Sequence, residues 1–426
     1  MIIRNARVID PASDTDTIKD IFIHNGRIVN DNDPDALSDG VEIDASGLIA
    51  GPGLVDIHVH FRDPGQTHKE DVHTGAAAAA AGGFTSVVMM ANTTPPLDEP
   101  GIVRDLLKRS SSEKLHIYTC ANITKGMMGK ELCDLKALFD AGAVGFTDDG
   151  KPVMDRAILE EAFETAAALN VPVSLHEEDP AYIKQNGVNA GPAAESLGLT
   201  GADRLAEISI IERDLKIAEN HAVKLNIQHI STAEGVELVR NAKKTNPNIH
   251  AEATANHFTL TEEAVSRFGT LAKINPPLRT AADREAIWEG LSDGTIDIIA
   301  SDHAPHAANE KSLDFEKAPS GVTGLETSFL LAYNILYKKD ILDLKDLFRL
   351  MSYNPAKLYG LNAGTLEIGA PADIMLFSPD AAFTYSSPRS RSTNSPFLGR
   401  RFEGKIMYTV CAGSVAYRAD DAQYNS

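Results

Sequence analysis

Cysteine is scarce in this chain: Cys120, Cys133 and Cys411 are the only three in 426 residues. They are too few and too scattered for a disulfide framework or a thiolate-only zinc site, and a reducing cytoplasm is the expected compartment. Positive charge is short as well. With 40 Lys+Arg against 60 Asp+Glu, the formal charge is −20, which argues against nucleic acid or an anionic bilayer as a partner, because both need a basic face. Low-complexity sequence is nearly absent. At 43% hydrophobic and 23% charged residues, the composition is that of a globular chain with a large core. A membrane span is lacking too. The longest uncharged stretch, 74–97, has the length of one. Its interior instead divides into a helix over 76–81 stopped by Gly82-Gly83, a buried strand over 84–90 and a loop at Pro95-Pro96. The opening MIIRNARVIDPASD carries Arg4 and Arg7 in its first apolar run and shows no signal-peptide core.

What is present has a clear texture. The first fifty or so residues alternate as short strands, IIRNARVI, DIFIHNGRIV and VEIDASGLIA, with turns at Asn25-Gly26 and Asp39-Gly40. From Gly53 onward, short apolar strands alternate with longer helical patterns, the sign of parallel βαβ units. Eight strands are expected, over 54–60, 84–90, 115–119, 143–147, 171–176, 224–229, 248–253 and 296–300. Eight such units close a barrel. After Leu361 the pattern is β-like again in ADIMLFSP, KIMYTVCAG and SVAYRAD. The expected class is therefore α/β: a (β/α)8 TIM-type barrel over 53–363, with a small β-sandwich domain built from 1–52 and 364–426.

Barrel enzymes carry their reacting groups at the C-terminal ends of the strands. Here strand one ends in Asp56-Ile57-His58-Val59-His60, where residues two apart share a face and can grip one metal. Strand four ends in Asp148-Asp149, strand five at His176, strand six at His229, and strand eight runs into Ser301-Asp302-His303. Four histidines and an acid from each of two strands suit two metal ions sharing a bridging carboxylate and hydroxide. Nitrogen and carboxylate donors without thiolate favour zinc, with manganese or cobalt as alternatives. His303 points to the opposite strand face and is expected to brace its neighbours. His24, His68, His73, His116, His221 and His250 end no barrel strand and are expected at the surface or in packing.

These residues resemble the amidohydrolase superfamily and, within it, the class I dihydroorotases. The resemblance covers essentially the whole chain. It is carried by GPGLVDIHVHFRDPG, MANTTP, GFTDDG, SLHEED, IQHIST, KINPPLR and ASDHAPH, with GAPADIMLFSP and NSPFLGRRFEGKI near the end. It implies one metal on His58, His60 and Asp302, a second on His176 and His229, and Asp149 with a hydroxide as the bridge between two Zn2+ ions per subunit. Many relatives, the hydantoinases, dihydropyrimidinases and allantoinases among them, instead bridge through a carboxylated lysine at the end of strand four. Lys151 lies downstream of that position and is read as surface, and Asp148 as orienting a neighbour or capping a helix.

The resemblance also implies that Arg62, Asn92 and His306 hold a substrate carboxylate, with Asn275 and the backbone of 321–324 facing the ring and His60 close by. A planar guanidinium fork matches a carboxylate. Asp302 is the implied proton shuttle for reversible cyclisation of N-carbamoyl-L-aspartate to dihydroorotate. The polar segment 306–321 reads as a mobile loop over the site. A homodimer and association with aspartate transcarbamoylase are implied partners. Two rivals remain: another cyclic-amide hydrolase, opposed by Asp149 in the lysine position, and a metal-free scaffold, opposed by the complete donor set.

Overall fold

The structure, a computed structural model, describes residues 1–31 and 40–420. Strands β1 (Ile2–Asp10) and β2 (Thr15–His24) pair antiparallel, and β2 turns into β3 (Arg27–Val29). Asn25 and Gly26, at φ 48° and 74°, supply the two left-handed residues that such a tight hairpin needs. The other expected turn includes Asp39, which lies outside the described residues. The strand expected over 41–50 is broken in two, β4 (Glu42–Asp44) and β5 (Ile49–Pro52), each parallel to β1. Gly47, at φ 78°, makes the break.

The barrel follows. Strands β6 (Leu54–Val59), β7 (Phe84–Met89) and β8 (His116–Thr119) form one parallel ladder. Strands β9 (Pro172–Leu175), β10 (Lys224–Ile227), β11 (Ile249–Thr254) and β12 (Ile298–Ala300) form a second. The strand expected over 143–147 is not a ladder strand. Phe146 bridges Ala121 on one side and Val173 on the other, and Val144, Gly145 and Thr147 add backbone hydrogen bonds to Thr119 and Ala121. Gly142 and Gly150, at φ 110° and 84°, bend the chain on both sides of this short stretch. A parallel bridge between Val59 and His303 closes the circle.

The helix Val72–Ala81 starts before the expected position because Asp71 caps it, accepting from the Thr74 amide at 2.8 Å, and Gly82 ends it. Its small residues let it approach the segment that follows β6 closely. A Cβ on Gly75 would come within 2.4 Å of the Phe61 ring. Among the described residues, no helix is long and apolar enough to cross a membrane.

At the far end, β13 (Ile374–Thr384), β14 (Arg401–Cys411) and β15 (Ser414–Arg418) form an antiparallel meander, and β13 pairs with β5. One eight-stranded sheet, ordered β15-β14-β13-β5-β1-β2-β3 with β4 on β1, thus draws on both ends of the chain. Ile3, Val8, Ile21, Ile43, Ile374 and Val410 bury its apolar face.

Candidate active site

His58 lies within the end of β6, while His60, His176, His229 and Asp302 sit just beyond their strands, at the C-terminal rim of the barrel. Leaving a parallel ladder for a tight loop bends the backbone sharply. Arg62, His229 and Asp302 take φ values of 58°, 33° and 44°, left-handed conformations costing of order 1–3 kcal/mol each that persist only where surroundings hold them. Around Asp302 the hold is visible. The Ser301 amide donates to the buried Asp56 carboxylate at 3.2 Å, and the His303 amide to Ser301 Oγ at 3.0 Å.

Two donor sets converge here, His58 with His60 and Asp149, and Asp149 with His176 and His229. Asp149 belongs to both. Its Oδ1 lies 3.4 Å from His58 Nε2 and 3.9 Å from both His176 Nδ1 and His229 Nε2, while its Oδ2 is 3.4 Å from His60 Nε2. Asp302 Oδ1 stands 3.1 Å from His60 Nε2 and 3.6 Å from His58 Nε2. His176 Nδ1 and His229 Nε2 face one another at 3.0 Å. His58 Nε2 and Asp149 Oδ1 are buried without a hydrogen-bond partner. Convergent imidazole nitrogens and orphaned buried acceptors are an arrangement that a cation resolves, so the residues fit a divalent metal.

The electrostatics follow from burial and from this crowding. Burial opposes ionisation of Asp149, but His58, His60 and His176 overcome it and hold the carboxyl well below its ordinary range. Asp302 is likewise held down to about 2, burial being outweighed by His58, His60 and His229. Burial would lower His58, yet Glu252, Asp149 and Asp302 raise it well above its usual value. His229 is pushed well down by burial and by its His176 and His58 neighbours.

Several orienting groups escaped the sequence reading. Glu252, fully buried, meets His58 Nδ1 at 2.5 Å and accepts from Asn226 Nδ2 at 3.0 Å. Glu178 meets His176 Nε2 at 2.9 Å. Carboxylates on the far nitrogen fix tautomer and ring orientation. The signal for Glu252 is a charged residue inside the buried strand IHAEAT; for Glu178 it is the acidic run after His176. Glu252→Gln is expected to weaken metal binding by about 10–100-fold, read by competition with a chromophoric chelator. An unchanged affinity would show that Glu252 does not orient His58.

His60, Arg62, Asn92, Asn275 and His306 line one cavity of about 180 Å³, together with Asp149, His176, His229 and Asp302, and of the expected stretch 321–324 only Gly321 reaches it. Arg62 donates through Nε to the Pro305 carbonyl at 3.2 Å, and its Nη2 is 3.4 Å from His306 Nε2. Burial, then Arg62, Lys69 and Lys311, push His306 down to about 2, so it is neutral and has one N–H to give. That nitrogen faces the Ser320 carbonyl at 2.8 Å. Asn275 accepts from Ser320 Oγ at 3.0 Å. Asn92 is used at both ends, meeting His60 Nδ1 through Oδ1 at 2.9 Å and donating to Asp149 Oδ2 at 3.1 Å. Gly321, at φ 140°, admits no side chain, because a Cβ would sit 2.8 Å from the Ala304 carbonyl oxygen.

The segment 306–321 is not structureless. It contains the short helix Ala308–Lys311 and is stapled by two lysines. Lys311 Nζ donates to the Pro319 and Gly321 carbonyls at 2.9 and 3.1 Å, and Lys273 Nζ to those of Phe315 and Ala318 at 2.7 and 2.8 Å. Asp148 turns away from the donor sets and clasps Asn122, Ile123 and Thr124. His303 spans from Glu70 to the Gly324 amide, and Lys151 reaches the Met127 carbonyl at the surface. His257, which ends no strand, is buried between Thr254 and the Pro276 carbonyl, under the loop that carries Asn275.

Residues 49–416 match the Amidohydrolase family, and the chain belongs to that family. Among curated proteins it is 49% identical to a dihydroorotase of Clostridioides difficile, over 98% of this chain and 100% of the relative, and 45% identical to one of Lactococcus lactis, over 98% and 99%. Within the amidohydrolases, its place is with the dihydroorotases. Among solved structures, an L-hydantoinase (dihydropyrimidinase) from Arthrobacter aurescens superposes with a TM-score of 0.88 at 26% identity, covering 99% of this chain and 97% of the other. A dihydropyrimidinase from Brevibacillus agri follows the same fold, with a TM-score of 0.83 at 21% identity over 99% and 96%.

Proposed function

We propose that this enzyme interconverts N-carbamoyl-L-aspartate with L-dihydroorotate and water, the ring-closing step of pyrimidine biosynthesis. The carrying observation is Arg62. Its guanidinium has no carboxylate ion-pair partner among the described residues, yet lines the same cavity as two convergent metal-donor sets. An unpaired cation there calls for an anionic substrate group. Hydantoins and dihydropyrimidines need carry none.

Four imidazoles and two carboxylates suit zinc, and we assign two Zn2+ per subunit. His58, His60, Asp149 and Asp302 would hold one, and Asp149, His176 and His229 the other. When bound, the ions supply Lewis-acid polarisation of the amide carbonyl and acidify the attacking water. The protein's own groups do the rest. Arg62 grips the carboxylate, His306 turns its N–H to it from the Ser320 carbonyl, and the Asn275 amide meets the ring. Asn92 meets the same carboxylate and also keeps His60 and Asp149 in place.

In ring opening, Asp302 accepts a proton from water as the carbon–oxygen bond forms, then delivers it to the ring nitrogen as the carbon–nitrogen bond breaks. In ring closure, the carbamoyl nitrogen attacks the side-chain carboxyl carbon, and Asp302 carries that nitrogen's proton to the departing oxygen. The reading extends to units of 1–52 plus 364–426 and 53–363, supported by the sheet shared between the chain ends, and to a cytoplasmic homodimer able to associate with aspartate transcarbamoylase. Light scattering with and without the transcarbamoylase checks both associations.

The selectivity test compares dihydroorotate with dihydrouracil, the same ring without the carboxylate. Wild-type enzyme is expected to open dihydroorotate far faster. Arg62→Met should lower kcat/KM for dihydroorotate by roughly 30-fold or more, because losing one partner of a buried charge pair costs about 2 kcal/mol or more. Metal content should not change. Equal rates on the two rings, or an indifferent Arg62→Met, would sink the assignment.

A further inference from the structure

A second group of side chains with metal-ligating atoms lies at the opposite rim of the barrel. His116 is the first residue of β8, Asp373 immediately precedes β13, and Cys411 is the last residue of β14. Their donor atoms all lie within 4.8 Å of one another. His116 Nε2 is 3.1 Å from Asp373 Oδ2 and 3.3 Å from Oδ1. Asp373 and Cys411 are each 2% exposed, whereas the His116 side chain is 33% exposed, giving an ion a route from solvent along the imidazole.

The carboxylate is fixed from behind, with Oδ1 accepting from the Ala412 amide at 2.8 Å. Its Oδ2 is buried, directed at the imidazole, and makes no well-formed hydrogen bond. Cys411 Sγ faces the Thr85 carbonyl at 3.7 Å, a weak use of a thiol proton. Burial and the Asp373 charge together push this thiol well up. Tyr118 is raised as well, by burial first and then by Asp373 and Cys411.

We propose that His116, Asp373 and Cys411 bind one thiophilic divalent cation, zinc by donor chemistry, at a site separate from the catalytic centre. One thiolate, one imidazole and one carboxylate leave a fourth position for water toward the exposed side. Donors at about 2.0–2.3 Å from one tetrahedral ion stand about 3.3–3.8 Å apart, so a small contraction of the observed cluster accommodates it. Binding would displace the thiol proton, and that of His116 if it is charged, to solvent, leaving a neutral imidazole and two anions on the ion. The ion would join barrel strand β8 to β13 and β14 of the sheet and stabilise the folded chain by mass action.

Cobalt(II) is the probe, because thiolate-to-cobalt charge transfer in the near ultraviolet reports sulfur ligation and the catalytic donors contain no sulfur. Titrating the full-length enzyme with cobalt is expected to give this band. Cys411→Ser should abolish it and His116→Ala should weaken it, with ring-closing activity kept in both. Cys120→Ser and Cys133→Ser should retain it. Excess zinc should remove the band and, with the catalytic donors already loaded, raise the melting temperature of wild type more than that of Cys411→Ser. Absence of the band in wild type at saturating cobalt, or its persistence in Cys411→Ser, would overturn the proposal. If Cys411→Ser does not fold, His116→Ala decides, since it alters a partly exposed side chain, and an undiminished band there counts against the site.

Discussion

Asp302→Asn is expected to lower kcat in both directions by about 10²–10⁴-fold, the usual contribution of a positioned acid–base group. Asparagine keeps the shape of the side chain and tolerates the positive φ of 44° at this position, so the backbone bend should survive. What it loses is the ability to accept a proton while remaining 3.1 Å from His60 Nε2. Because Asp302 is also assigned as a metal donor, the variant is to be read by metal analysis alongside steady-state kinetics. Depressed kcat with retained metal isolates the proton-transfer role. A variant that keeps its metal and turns over at the wild-type rate would remove Asp302 from the proton path.

Asp149→Ala should have the larger effect on the metals. Asp149 is the only acid common to both donor sets, and without it Asp302 is the one carboxylate left among the converging nitrogens, Glu252 and Glu178 being engaged on the far sides of His58 and His176. Losing it removes a bridging donor and a negative charge at 4% exposure. Elemental analysis is expected to fall from two ions per subunit to fewer than one, with ring closure lost to background. Full occupancy and activity in the variant would place the bridge elsewhere. Asp148 is poorly placed to serve, since its carboxylate is already taken by Asn122, Ile123 and Thr124.

Much of this was legible because barrel chemistry obeys a simple positional rule. Strand ends can be found from hydrophobic pattern, and the ends here carry histidine and aspartate. The rule says nothing about residues inside a strand, so Glu252 went unseen although it buries a carboxylate against His58. It also assumes that strands are strands. The fourth passage is a short stretch bridged at Phe146, with glycines at 142 and 150 bending the chain on either side, a tertiary feature that an apolar run does not reveal.

Contacts between distant segments were the other blind spot. His116 reads as packing when its neighbours in sequence are considered, and Cys411 as isolated; only the sheet shared by the chain ends brings them to Asp373. The stapled segment after His306 is similar. Lys273 and Lys311 are both buried and spend their donors on backbone carbonyls, which ties down the part of the segment beyond its short helix.

The most direct test of the catalytic assignment is ring closure followed by absorbance, with purified enzyme and N-carbamoyl-L-aspartate at mildly acidic pH, before and after chelation and on adding zinc back. Dihydroorotate should form, formation should stop on metal removal, and zinc should restore it. Metal-loaded enzyme that forms no dihydroorotate but opens hydantoins or dihydrouracil would contradict the assignment of substrate, and turnover indifferent to chelation would contradict the metal-centred site.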